Sequence, residues 1–317
     1  NITAGGNTIN IGFGSTLGLL SNAGTIYTTS SNSIYNQGSI NSINNAGTIQ
    51  SNNRAIHNRD TISSLTNTNL ITAAYFTIYN VGTLGTITNS GTISASLGFA
   101  ISNVYGNIES ITNTSTGEIN SGSNTIFNGS GRSITSLINQ GDIDASADAA
   151  ILNNGTISTI NNSGNIYATE GIGIENDGAS ATITNLTNSG NISAGTAISN
   201  TTGSIETITN TGSISSLTSL ADIHNNGSIN MLINRQSNLT FTGNLPANYQ
   251  IMIASTSNYG KITFSDVTGT TIFGIHATSS VNENTTYTSV ITGISDSELS
   301  TTTGTFIDEG VIAMTGH

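Results

Sequence analysis

The feature that most constrains this chain is a phrase, Ile-x-Asn-x-Gly-x-Ile, that recurs in two alternating series. The stretch Ile34 to Ile49, IYNQGSINSINNAGTI, holds two copies back to back with only Asn41 and Ser42 between them. In the first series, corner A, the asparagines are Asn36, Asn58, Asn80, Asn103, Asn128, Asn153, Asn176, Asn200 and Asn225. In the second, corner B, they are Asn45, Asn67, Asn89, Asn113, Asn139, Asn162, Asn188, Asn210 and Asn234. One cycle through both corners takes 22 to 25 residues, and nine cycles follow a half cycle at Leu20 to Ile26. A third column of small residues follows corner B, from Ser51, Ala73 and Ala95 to Ala194 and Ser216, and suits a crowded turn.

A cycle this short cannot bury its own apolar face, whereas stacked cycles share one core. A leucine-rich repeat would show an L-x-x-L-x-L frame and a helix-compatible segment, and neither is present. Ile, Thr, Ser, Asn and Gly favour strands and turns. The expectation is therefore all-β: a parallel β-helix of nine to ten coils, each with three short strands, roughly 45 Å long. At a corner the backbone leaves the regular ladder, and a side-chain amide carries the donors and acceptors to satisfy it. Asparagines in register can also bond to their equivalents above and below. These asparagines are expected to be structural ladders and not ligand contacts.

Composition narrows the function. Of 317 residues only 7% are charged, and five Lys+Arg against 17 Asp+Glu leave a net charge of −12. So few cations argue against nucleic-acid binding. Regulated Ile and Leu positions and a single proline argue against disorder. With no cysteine there is no disulfide framework and no thiolate metal site. No run of about 20 apolar residues could cross a membrane as a helix. The opening Asn1-Ile2-Thr3, without Met or a basic, apolar leader, reads as a processed product or a piece of something longer.

The phrase stops near Leu239. From Phe241 onward come the sole proline, Pro246, and seven of the 17 aromatic residues. Longer alternating strands are expected at YQIMIAS from Tyr249, GKITFSD from Gly260, TTIFGIHAT from Thr270 and TTYTSVITG from Thr285. The division expected is 1–19 as an N-terminal entry or cap, 20–239 as β-helix, and 240–317 as a β-rich cap or assembly segment covering an open strand edge. The Asn/Thr/Gly-rich coils, followed by NYQIMIASTSNYGKITFSDVTGTTIFGI, resemble passenger regions of bacterial type V autotransporters. The segment Tyr259 to Phe264, YGKITF, is the more specific part of that resemblance. It implies an exported β-helix, at the cell surface or outside the cell, with a C-terminal portion that helps it fold. No barrel of alternating strands follows in this sequence, which fits a cleaved product or a related secreted fibre.

Catalytic chemistry has few candidates. The acids Asp142, Asp144 and Asp148 precede Glu170, Glu175 and Asp177 by one cycle, and register brings Asp148 near Glu170, a spacing open to acid–base work or Ca²⁺. No Lys or Arg accompanies them, so solvated loop acids are the plainer reading. His57, His224, His276 and His317 have no metal-ligand spacing and no evident triad partner. No catalytic residue, metal or cofactor is assigned. The second position of the corner-A phrase instead gives an aromatic and apolar strip, Tyr35, His57, Tyr79, Phe127 and Leu152, that could contact a surface glycan or a protein; rings packing on one another is the alternative. The same position at corner B gives Thr66, Thr88, Thr112, Thr187 and Thr209, interrupted by Asn and Ile. The function expected is a non-enzymatic extracellular structural or adhesive rod, self-associating laterally or end to end. A polysaccharide-degrading β-helix enzyme is the alternative, and an ice-binding rod a more distant one.

Overall fold

The computed structural model describes residues 1–219, 221–282 and 284–300, with the backbone of two short antiparallel strands at Thr305–Ile307 and Ala313–Thr315. The chain is a parallel β-solenoid whose coils are triangular. In a typical coil the first side is Arg54–Asn58, the long side Thr61–Asn67 and the short side Leu70–Ala73. Corner A joins first to long side, corner B long to short, and a third corner returns the chain to the next coil. The final Ile of a corner-A phrase and the first Ile or Leu of the corner-B phrase share the long side. Thus Ile62 and Leu65 both point inward, while Ser63 and Ser64 between them do not.

Each inward position forms a column along the axis. Ile34, Ile56, Ile78 and Ile101 pair in register on successive coils, all fully buried. Burying one such side chain contributes roughly 1.5–3 kcal/mol, and the column shares that burial between neighbouring coils. The third-corner residues Ala145, Ala168 and Ala194 are fully buried too, where a larger side chain would have no room.

The asparagine ladders form as the repeat implies. At corner A, Asn36 Nδ2 donates to Asn58 Oδ1 at 2.8 Å, and Asn58 Nδ2 to Asn80 Oδ1 at 2.9 Å. The column continues in the same sense to Asn225. Corner B begins one rung before Asn45, at the half cycle: Asn22 donates to Asn45 at 2.7 Å. The second Nδ2 hydrogen is shared between carbonyls of the bend; Asn58 reaches Asp60 O at 3.1 Å and Thr83 O at 2.9 Å. A buried amide and a bent backbone thereby satisfy each other, and both columns are polarised in one direction.

Two expectations change. The long side builds a twelve-stranded sheet, so there are about twelve coils and not nine to ten; at ~4.8 Å per coil the sheet extends about 53 Å. Ladder steps run from 22 to 26 residues, the longest where loops are inserted just after the Asn, as at Asn113 to Gly117. Parallel coils extend into both end segments, over residues 1–22 and 239–292. Ile2–Ala4, Ile9–Ile11 and Thr16–Asn22 already make a complete coil, in parallel register with the next. Beyond 239, Leu239–Asn244 pairs in parallel with the coil before it and Ile262–Thr268 with the coil after.

What ends at Leu239 is the three-sided cross-section. The step from Ile223 to its partner Phe241 is only 18 residues, because the short side after Ser213–Ser216 has no successor. Gln236 replaces the missing strand with its side chain. Its Oε1 accepts from Ile214 N at 2.8 Å and Asn210 Nδ2 at 3.0 Å, and its Nε2 donates to Ile214 O at 2.8 Å. Asp222 closes the other edge by accepting from Ser216 N at 2.7 Å and Thr240 N at 2.8 Å. Replacing Gln236 with leucine is therefore expected to cost about 2–3 kcal/mol by leaving buried groups unpaired; denaturant titration checks it. In these last coils aromatic rings take over the Ile and Leu columns, Phe241 following Ile223 and Tyr249 following Leu232: Phe241, Tyr249 and Phe264 are fully buried, with centroids 5.5 to 6.0 Å apart. The strand expected at Thr285 reduces to Ile291–Thr292, and residues 301–304, 308–312 and 316–317 lie outside the described residues.

Candidate functional site

The first side carries the aromatic strip, whose rings pack on one another from coil to coil. Tyr35, His57 and Tyr79 are register partners on successive coils, with ring centroids 5.1 and 5.0 Å apart. The run does not stop at Ser102, because a second outward column interleaves with the first. Phe76 meets Tyr79 at 5.2 Å, stacks on Phe99 at 5.6 Å, and Phe99 meets Phe127 at 5.4 Å. All these rings are half-buried, and they meet edge-to-face or tilted except for Phe76 and Phe99, which stack. The rings lie at differing tilts, so they form no continuous flat platform for a sugar to stack upon. Leu152 continues the column beyond Phe127, and Glu175 follows it.

The second column, Arg54, Phe76 and Phe99, escaped the sequence reading because both Ala55 and Ile56 turn inward, leaving Arg54 and His57 outward three residues apart. The signal was available: these residues recur two places before the Ile of each phrase, at the same period. Arg54 lies over the rings of Tyr79 and Phe76, at 4.6 and 5.4 Å from their centroids, and its buried Nε has no hydrogen-bond partner. Arg59 at corner A donates from Nη1 to Tyr35 Oη at 3.0 Å. Two of the chain's five cations thus converge on one coil. The neighbouring Asp60 carboxylate accepts from Thr61 Oγ1 at 3.2 Å.

Burial, reinforced by Arg54 and Arg59, lowers the His57 pKa from 6.5 to about 4. Between those values the unfolded chain binds more protons than the folded one, so stability is full above the upper value and falls as pH drops toward the lower. We expect a loss of about 1 kcal/mol over that window, discounted for solvent around a half-buried ring. His57→Phe should flatten that slope, as chemical denaturation at a series of pH values would show.

The acidic residues divide into two groups. On the short side Glu118, Asp142 and Asp144 lie on adjacent coils, and burial, then Glu118 and Asp142, raise the Asp144 carboxyl. On the first side burial, then Asp177 and Asp148, raise Glu175. Asp148 Oδ2 accepts from Ser123 Oγ at 2.6 Å, and the exposed Glu170 lies on the following coil near the same corner. Among the described residues no group of three or more His, Asp or Glu side chains could hold a metal ion. His224 Nδ1 pairs with Thr242 Oγ1 at 2.9 Å and His276 Nδ1 with Thr278 Oγ1 at 2.8 Å, while His317 lies outside the described residues.

The corner-B column lies on the long side, where Thr66, Thr88 and Thr112 are adjacent in register and half-buried. Ile138 and Asn161 then break the array. A shallow depression lined by Ser21, Asn44, Ala46, Thr66 and Thr68 opens beside it. No helix among the described residues is long and apolar enough to cross a membrane. No family model matches the chain, and neither the curated proteins nor the solved structures contain a match.

Proposed function

We propose that this chain is a non-enzymatic structural and adhesive rod, displayed at a bacterial surface or released from one, in the manner of an autotransporter passenger. The observation that carries the reading is the pair of polarised amide columns through a core of nearly identical coils. Such a stack is stiff, needs no metal or disulfide, and spaces one end away from the other. The first side supplies the contact surface, since its rings and Arg pair interrupt an exterior of Ser, Thr and Asn that otherwise carries mainly acidic charge. Its adhesive partner is a protein surface more readily than a stacked sugar, because the rings lie at differing tilts and offer no flat platform.

The test is display of the chain on a bacterium that lacks adhesins. Cells are expected to attach to a surface or to settle together. Dispersed, unattached cells carrying intact rods would contradict the adhesive role. Release of reducing ends from a polysaccharide, abolished by Asp148→Asn or Glu170→Gln, would overturn the non-enzymatic reading.

A further inference from the structure

The first side carries opposite charge at its two ends. Toward the N-terminus, Arg54 and Arg59 belong to the coil of His57 and outnumber the adjoining Asp60, leaving a net positive charge there. Toward the C-terminus, on the same outward column and its margins, Glu175 and Asp177 sit together with Asp148 within electrostatic reach. Between them lie Phe99, Phe127 and Leu152, with Tyr75 and Leu97 projecting at the adjoining corner, 49% and 63% exposed. An apolar centre flanked by charge of opposite sign is the anatomy of a protein interface.

We propose that this side is self-complementary, so that two copies of the chain pack side by side and antiparallel across it. The proposal rests on the contact role given to this side above and names the partner. A twofold axis at the level between Ser102 and Phe127 exchanges the coil of His57 with the coil of Glu175. It also exchanges the coil of Tyr79 with that of Leu152. Arg54 and Arg59 of one copy then face Glu175 and Asp177 of the other, at both ends at once, as isologous symmetry requires. Phe99 and Phe127 of the two copies meet near the axis. A parallel, staggered arrangement would match only one pair of ends.

The area is that of a weak, reversible pair. The six coils from that of His57 to that of Glu175, at ~4.8 Å each by five residues at ~3.3 Å, give about 480 Å² per copy, or about 950 Å² in total, in the range of transient interfaces. Charged ends of this kind set register and speed encounter, and their contribution weakens with salt.

Sedimentation of the full chain from about 1 to about 100 µM tests the proposal. A dimer should appear within that range and weaken as salt is raised. Arg54→Glu with Arg59→Glu, and separately Glu175→Arg with Asp177→Arg, should each weaken pairing by about thirtyfold or more. An equimolar mixture of the two variants should restore a heterodimer, because both ends are again complementary. Arg59→Glu and Asp177→Arg alone, outside the ring stack, repeat the comparison should the double variants misfold. A wild type that stays monomeric throughout, variants that pair as the wild type does, or a mixture that stays monomeric would overturn the proposal. Displayed cells that attach to foreign surfaces while the purified chain stays monomeric would sink the pairing alone and leave the adhesive rod standing.

Discussion

Replacing Asn113 with alanine is expected to destabilise the rod by about 3–6 kcal/mol, far more than an ordinary polar substitution. Asn113 Nδ2 donates to Asn139 Oδ1 at 2.9 Å and to the carbonyls of Gly117 and Asp142 at 3.0 Å, while its Oδ1 accepts from Asn89 at 2.9 Å. Alanine leaves a donor above, an acceptor below and two carbonyls of the bend unpaired in a fully buried column. Each orphaned group costs about 1–3 kcal/mol, and neighbouring amides that polarise one another add to the loss. Asn22→Ala, at the start of the corner-B column, provides the comparison. Asn22 donates to Asn45, Gly24 O and Thr48 O, receives no amide from a preceding coil, and is 7% exposed. It should cost about half as much. Equal losses at the two positions in urea unfolding would mean that the columns do not act as nearest-neighbour chains.

Phe264→Ala should act differently, by detaching one end of the rod. Phe264 is 1% exposed and meets Phe241 at 5.5 Å and Tyr249 at 6.0 Å, across the coils where the asparagines have ended. Truncating a buried Phe costs roughly 3–5 kcal/mol. In a solenoid each coil feels mainly its neighbours, so the loss should fall on residues 239–292 and leave the laddered coils folded. Hydrogen exchange should then show that segment opening well before Thr61–Asn67 or its equivalents. A uniform drop along the whole chain would show that the aromatic coils and the laddered coils unfold as one unit.

The laddered middle was legible because its signal is repeated. Ile and Asn at fixed offsets report inward positions at every coil, and one mistaken residue is outvoted by eight equivalents. The ends were not legible for the same reason. At Gln236 the chain drops a side of the triangle, so the period shortens to 18 residues while parallel pairing goes on. A change of cross-section destroys the periodic signal without ending the fold. At the start, Ile9 and Leu17 occupy core columns while Ile11 stands where corner A has its asparagine, so the coil lacks the Asn-x-Gly signal and went unread. The strip was half legible: Tyr35, His57 and Tyr79 stand in the phrase itself, whereas Arg54, Phe76 and Phe99 are brought to them by the two inward residues between. Charge segregation along the first side needs the register of both groups, which spacing suggested for the acids and missed for the cations.

The most direct measurement is hydrogen exchange of the asparagine side-chain amides by NMR, residue by residue. The ladder asparagines, Asn36 to Asn225 at corner A and Asn22 to Asn234 at corner B, should exchange their Nδ2 hydrogens slowly, most slowly at mid-column. Asn41 and Asn44, exposed on the long side between two ladder positions, should exchange at the rate of free amides. Ladder and surface asparagines exchanging alike would contradict the account, because no pair of buried amide columns could then be holding the coils together.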